Sequence, residues 1–223
     1  MTNQKATAKA NYGDSEPESA QNDDTGGDLN DDAVKRGSSR WGYHSSAMAI
    51  PGGTRIGHVH LKVAEIERAL GFYCGVLGFE LMQRFGAQAA FISAGGYHHH
   101  IGLNTWESQG GHAPVAGTTG LYHLAILYPT RADLGRALKG LIQHGVQLDG
   151  AADHGVSEAL YLRDPDENGV ELYWDRPKEL WPRDKDGGIA MYTRGLDLEG
   201  LLADADDAVD AAPRVGEGPR DLG

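Results

Sequence analysis

Residues 56–73 read IGHVHLKVAEIERALGFY and residues 121–142 read LYHLAILYPTRADLGRALKGLI; these two stretches decide the fold. In the first, Gly57, Val59, Leu61 and Val63 alternate with Ile56, His58, His60 and Lys62, the period of a strand. Ile66, Ala69, Leu70 and Tyr73 then follow at helical spacing, and Gly75 with Gly78 ends the run. In the second, Leu121 to Leu127 reads as a strand. Thr130, with Asp133, caps a helix whose apolar face is Leu134, Ala137, Leu138, Leu141 and Ile142, stopped at Gly145.

Working outward, each strand and helix is followed by three short apolar bursts. After the first come Phe79 to Phe85, Gln88 to Ala94 and His98 to Asn104. After the second come Val146 to Leu148, Ala159 to Arg163 and Val170 to Trp174, the last two separated by the turn Asp164-Pro165-Asp166-Glu167-Asn168-Gly169. The order βαβββ therefore occurs twice, in modules of about 55–104 and 119–175, and the expected class is α+β.

The chain has 223 residues and its ends differ from its middle. Residues 1–50 are rich in Asn, Asp, Ser, Gly and Glu, and such a segment buries too little apolar surface to offset its ordering entropy, so it is expected to be disordered. Residues 51–196 are expected to form the folded domain. Residues 197–223 are expected to form an acidic tail in which Leu196, Leu198, Leu201 and Leu202 support a brief docked helix.

The net charge is −12, but residues 51–196 carry only −3, so the acidity belongs mainly to the ends. This balance lacks the basic stripe that phosphate contacts require, which argues against nucleic-acid and anionic-membrane partners. Cys74 is the only cysteine, which excludes an intrachain disulfide and fits a reducing, cytoplasmic setting; it lies in a helix-like apolar run where a buried thiol is expected. No apolar run reaches the length of a membrane span, and no signal-peptide pattern opens the chain.

The chemistry-bearing residues recur at matching places. Gly57-His58-Val59-His60 opens the first module, Tyr122-His123-Leu124-Ala125 opens the second, and Val170-Glu171-Leu172-Tyr173 closes it. Two imidazoles and a carboxylate on three strands suit one face of a metal ion and leave positions open, the pattern of non-haem iron(II) enzymes. His60 shares the face of His58 and is its rival as first ligand.

The stretches GHVHLKVAEIERALGFYCGVLGFEL (57–81), SAGGYHHHIGLNTW (93–106) and ALYLRDPDENGVELYWDRP (159–177) resemble the vicinal oxygen chelate superfamily, which unites glyoxalases, bleomycin resistance proteins and extradiol dioxygenases. Within it they resemble the single-domain catechol 2,3-dioxygenase (CatE-like) branch, over roughly residues 54–196. The resemblance implies two tandem βαβββ modules forming one metal-binding domain. It implies His58, His123 and Glu171 as metal ligands, with His60 as a packing or pocket residue.

It further implies a histidine near the fourth strand of the first module that assists oxygen activation; His98, His99 and His100 compete, and the family pattern favours His99. Tyr161, ten residues before Glu171, matches the family's substrate-binding tyrosine, and His154 matches the histidine before it, although the intervening loop is about two residues shorter. Phe91, Tyr97, Trp106 and Trp174 are candidate pocket walls. One departure is Glu167, where the family usually has Gly; either a neighbour takes the left-handed conformation or the turn is reshaped.

The implied function is an extradiol ring-cleaving dioxygenase that inserts O2 into a catechol-type substrate, with Fe(II), or alternatively Mn(II), as cofactor. A glyoxalase-type isomerase of this fold normally carries a carboxylate on the fourth strand of the first module. A metal-dependent thiol transferase needs no set of Tyr161, His99 and His154, and a drug-binding protein needs no metal. The expected partners are a small aromatic molecule and O2; two modules suffice to close one pocket in a monomer, and the resemblance equally allows a homodimer.

Overall fold

The computed structural model describes residues 49–210, so the expected disorder of most of 1–50 and the end of the acidic tail lie outside the described residues. In chain order the elements are β1 (Val59–Lys62), α1 (Ile66–Tyr73), β2 (Glu80–Phe85), β3 (Ala89–Ser93), β4 (Ile101–Asn104), β5 (Leu124–Leu127), α2 (Arg131–Gln143), β6 (Leu148–Asp153), β7 (Ser157–Arg163), β8 (Gly169–Asp175), β9 (Arg194–Gly195) and α3 (Leu198–Asp210). One sheet has the order β1-β4-β3-β2 and the other β5-β8-β7-β6-β9, so the repeat holds strand for strand, with β9 added at one edge.

In each sheet the first strand of the module pairs in parallel with its last. Val59 lies opposite Ile101 and His60 opposite Gly102; in the second sheet Leu124 lies opposite Val170 and Ala125 opposite Glu171. A one-residue slip would turn every side chain over, so the buried faces hold this register. Leu61, Val63, Ile92, Ile101 and Leu103 face one core together with Leu124, Leu160, Leu162, Val170 and Leu172. Burying such side chains stabilises by roughly 1.5–3 kcal/mol each.

The helices cover that core. Ile66, Ala69, Leu70, Phe72 and Tyr73 form the buried face of α1, and Leu134, Leu138 and Leu141 that of α2. Thr130 caps α2 by accepting from the Asp133 backbone N–H at 3.1 Å. Helix α3 crosses α2, with Leu201 and Ala205 buried and Arg131 bridging Glu158 and Asp204 at 2.7 and 2.6 Å. Cys74 caps the end of α1 and is only partly buried; burial still pushes its thiol above the ordinary value.

The turn between β7 and β8 reaches from the second module to the first. The buried Asp164 accepts from the backbone N–H groups of Asp166 and Asn168, from the Asn168 amide, and from the Tyr73 hydroxyl of α1 at 3.0 Å. Asp166 accepts from the Ala64 N–H at 2.9 Å and ion-pairs Arg68 at 2.5 Å. Glu167 itself takes the left-handed conformation, φ 64°, rather than passing it to a neighbour.

Several boundaries differ from the sequence reading. β1 begins at Val59 instead of Ile56, β4 at Ile101 instead of His98, and β5 at Leu124 instead of Leu121. His58, His98, His99 and His123 therefore precede their strands, and His100, also ahead of β4, still bonds its backbone to Ile92 and Val59 at 2.9 and 3.0 Å. β6 runs on to Asp153 through a Gly- and Ala-rich segment because β7 and β9 pair with it on both sides.

Candidate functional site

The side chains singled out by sequence fall into two groups, one in each module. In the second module, Glu171 projects from β8 and His123 stands one residue ahead of β5, with His123 Nε2 2.9 Å from Glu171 Oε2. Tyr161, directly opposite Glu171 in the β7–β8 ladder, donates its hydroxyl to Glu171 Oε1 at 3.0 Å. His154 Nε2 lies 2.7 Å from the same hydroxyl.

His154 Nδ1 lies 3.1 Å from the Tyr192 carbonyl and 3.2 Å from the Thr193 hydroxyl. A carbonyl only accepts, so Nδ1 carries a proton toward Tyr192, and in the neutral ring Nε2 is left as an acceptor. The single Tyr161 proton then faces two acceptors, His154 and Glu171. That arrangement can take up and hand on a proton at the phenolic oxygen.

Gly169 makes this corner fit. A Cβ there would lie 2.1 Å from the Tyr122 carbonyl oxygen and 3.0 Å from the His123 Cβ, so only glycine lets β8 approach the backbone that carries His123. His123 Nδ1 is buried without a hydrogen-bond partner. Such orphaned atoms are uncommon in folded chains.

In the first module the group is His58, His60 and His99, whose donor atoms all lie within 4.8 Å of one another. His99 packs on His58 with ring centroids 4.4 Å apart, and its Nε2 is buried without a partner. Burial, followed by the neighbouring imidazoles of His58, His98, His60 and His100, holds its pKa below the ordinary histidine value, which favours the uncharged ring. His98 Nδ1 lies 2.7 Å from His99 Nδ1, while His100 turns back to Ser93 Oγ at 2.9 Å and so secures the bend before β4.

The two groups occupy equivalent places in the repeat but carry different chemistry. His58 and His123 each precede the first strand of their module by one residue. Gly102 is the counterpart of Glu171, and His60 that of Ala125. Where the second module has a carboxylate beside a small residue, the first has an imidazole over a glycine: a Cβ on Gly102 would lie 2.6 Å from the His60 ring. The same register makes Phe91 the counterpart of Tyr161, and Phe91 packs against His60 and His99 at 5.9 and 5.0 Å.

Of the proposed ligands, His123 and Glu171 are thus brought together, and His58 is grouped with His60 and His99; no described interaction joins His58 to the pair. Trp106 stacks on His60 at 6.1 Å and Tyr97 covers His98 at 4.0 Å, whereas Trp174 packs against the core. Sequence reasoning ranked His60 below His58 as a ligand, as a pocket or packing residue, and missed Thr193, Gly102 and Gly169. The His-x-His spacing was the available signal for His60; the others show only once the register is known.

The donor set suits a non-haem iron or a similar divalent ion. The 2.9 Å between His123 Nε2 and Glu171 Oε2 is the spacing of adjacent ligands on an ion about 2.1 Å from each.

The sequence profile of the Glyoxalase/Bleomycin resistance protein/Dioxygenase superfamily matches residues 55–172. The chain is 45% identical over 155 residues to a catechol-2,3-dioxygenase of Bacillus subtilis (strain 168), covering 69% of this chain and 53% of that protein. It is 32% identical over 123 residues to biphenyl-2,3-diol 1,2-dioxygenase 3 of Rhodococcus globerulus, covering 54% of this chain and 63% of that protein. The chain therefore spans less than two thirds of the length of these curated relatives. Among solved structures, a glyoxalase/dioxygenase from Nostoc punctiforme aligns with a TM-score of 0.48 at 18% identity, covering 60% of this chain and 100% of that one.

Proposed function

This chain belongs to the glyoxalase/bleomycin resistance protein/dioxygenase superfamily, and from that premise we propose that it is an extradiol ring-cleaving dioxygenase acting on a catechol-type substrate with O2. His123 and Glu171 are two of the ligands, and His58, which occupies in the first module the place of His123 in the second, is the third. When bound, Fe(II) supplies Lewis acidity toward the substrate oxygens and the electrons needed for oxygen chemistry.

The residues of the chain supply the rest. Tyr161 receives the proton of a substrate hydroxyl and hands it toward His154, which the Tyr192 carbonyl and Thr193 hold in one orientation. His99, whose pKa is lowered by burial and the neighbouring imidazoles, accepts or returns a proton from the first module. Phe91, Trp106 and Tyr97, packed around its histidines, offer aromatic faces for a flat ring.

The observation that carries this reading is the unbroken chain from His123 through Glu171 and Tyr161 to His154. A glyoxalase-type isomerase wants a carboxylate from the first module, and the place equivalent to Glu171 is Gly102. A thiol transferase or a metal-free binding protein has no use for the phenol and imidazole lined up on the ligand carboxylate. The names of the relatives point the same way.

The test is anaerobic reconstitution with Fe(II), and in parallel Mn(II), followed by oxygen and a small panel of catechols. A yellow ring-cleavage product that disappears in His123→Ala is the expected result. Absence of product from protein shown to retain its iron overturns the proposal in favour of an isomerase or transferase.

A further inference from the structure

We propose that His58, His60 and His99 form a three-imidazole site for a Zn(II)-type cation, distinct in its donors from the His123–Glu171 pair. Their donor atoms already lie within 4.8 Å of one another. His99 Nε2 is buried and unpartnered, and an imidazole nitrogen so placed lacks the hydrogen bond that buried polar atoms normally have. An ion about 2.0–2.1 Å from each nitrogen needs the donors to draw closer. His58 and His60 are the exposed members of the set and His99 the more buried one.

The surroundings favour this use of His60. Its ring lies over Gly102, where no side chain competes for the space, and Trp106 stacks on its outer face at 6.1 Å. Phe91 backs both His60 and His99. The nearby acid Glu107 is engaged by Lys62 at 2.6 Å. The site is thus a set of three imidazole donors with no carboxylate among them.

Imidazole ligands suit zinc and the later transition metals, and a given nitrogen site binds Fe(II) more weakly than Ni(II), Cu(II) or Zn(II). The mixed imidazole–carboxylate set and the three-imidazole set share His58, so they cannot both be filled. Zinc in the first module removes His58 from the iron set. The competition rests on the iron assignment above; the zinc site itself does not.

The experiment uses metal-free full-length chain, titrated with Zn(II) by calorimetry and with Co(II) by visible absorption. His60→Phe keeps a ring over Gly102 and removes the donor; Glu171→Gln removes the carboxylate. Zinc affinity is expected to fall roughly tenfold or more in His60→Phe and to stay near wild type in Glu171→Gln. His60→Gln serves as a second variant if the Phe protein fails to show a wild-type thermal transition.

Zinc affinity that is unchanged in both His60 variants, or lost equally in His60→Phe and Glu171→Gln, overturns the proposal and leaves one mixed site. Fe(II) uptake under argon reports separately on the iron assignment. Its survival in both His123→Ala and Glu171→Gln sinks that assignment without touching the zinc result.

Discussion

The Tyr73 hydroxyl of α1 donates a 3.0 Å hydrogen bond to the buried Asp164 carboxylate at the β7–β8 turn, tying the first module to the strand that carries Glu171. The Ala64–Asp166 and Arg68–Asp166 contacts beside it complete a clamp between the end of β1 and the start of β8.

Tyr73→Phe removes one of four donors to Asp164 and is expected to cost about 1.5–3 kcal/mol, read from the urea midpoint. It also changes the alkaline limb. Burial first, and then the charge of Asp164, raise the Tyr73 phenol well above its ordinary value, and burial pushes Tyr128 up to about 12. Both phenols ionise in the unfolded chain near pH 10 while the folded ones hold their protons, so stability is full below that pH and falls above it. The fall should be shallower in Tyr73→Phe, and equal slopes for the two proteins would refute the argument.

Glu167→Gly should stabilise the chain. A non-glycine residue at φ 64° carries a cost of about 1–2 kcal/mol, of which the greater freedom of unfolded glycine returns about 0.5–1. The expected net gain is roughly 0.5–1 kcal/mol in denaturant unfolding. A loss would mean that Glu167 makes a contribution its backbone geometry does not reveal.

Gly169→Ala acts on the site through the backbone. Its methyl would meet the Tyr122 carbonyl at 2.1 Å, and relief requires moving either β8 or the segment bearing His123. The prediction is reduced Fe(II) stoichiometry together with a lower melting temperature. Normal iron content in a normally folded variant would show that the His123–Glu171 spacing tolerates this shift.

Tyr161→Phe keeps the ring and removes the phenol that joins Glu171 to His154. Iron content should be retained while kcat on a catechol falls by about two orders of magnitude. His154→Gln added to Tyr161→Phe should cost little more, because residues that act as one relay lose their effect together. Additive losses would mean two independent roles.

Much of this was readable beforehand. Thr130 and Gly145 bracket α2 as their capping chemistry demands, and alternation from Val59 to Val63 places the histidines on the face opposite Leu61. What escaped depends on pairing between distant strands. β6 has the residues LDGAAD, with no apolar alternation of its own, and exists because β7 and β9 flank it. The exchange of Gly102 for Glu171 and of His60 for Ala125 appears only when both parallel registers are laid side by side. Glu167 needed the actual torsion angle, since a turn of that composition can place its left-handed residue at more than one position.

The match to the superfamily profile ends at residue 172, and the repeat ends with β8, yet the imidazole of His154 takes its orientation from Tyr192 and Thr193, which lead into β9. The smallest piece that could fold and the smallest piece that could work are therefore different lengths. On the proposed reading, a chain cut after the second sheet's fourth strand keeps His58, His123 and Glu171 and loses the fastening of His154, which leaves turnover open to retuning through this closing strap with the metal centre untouched.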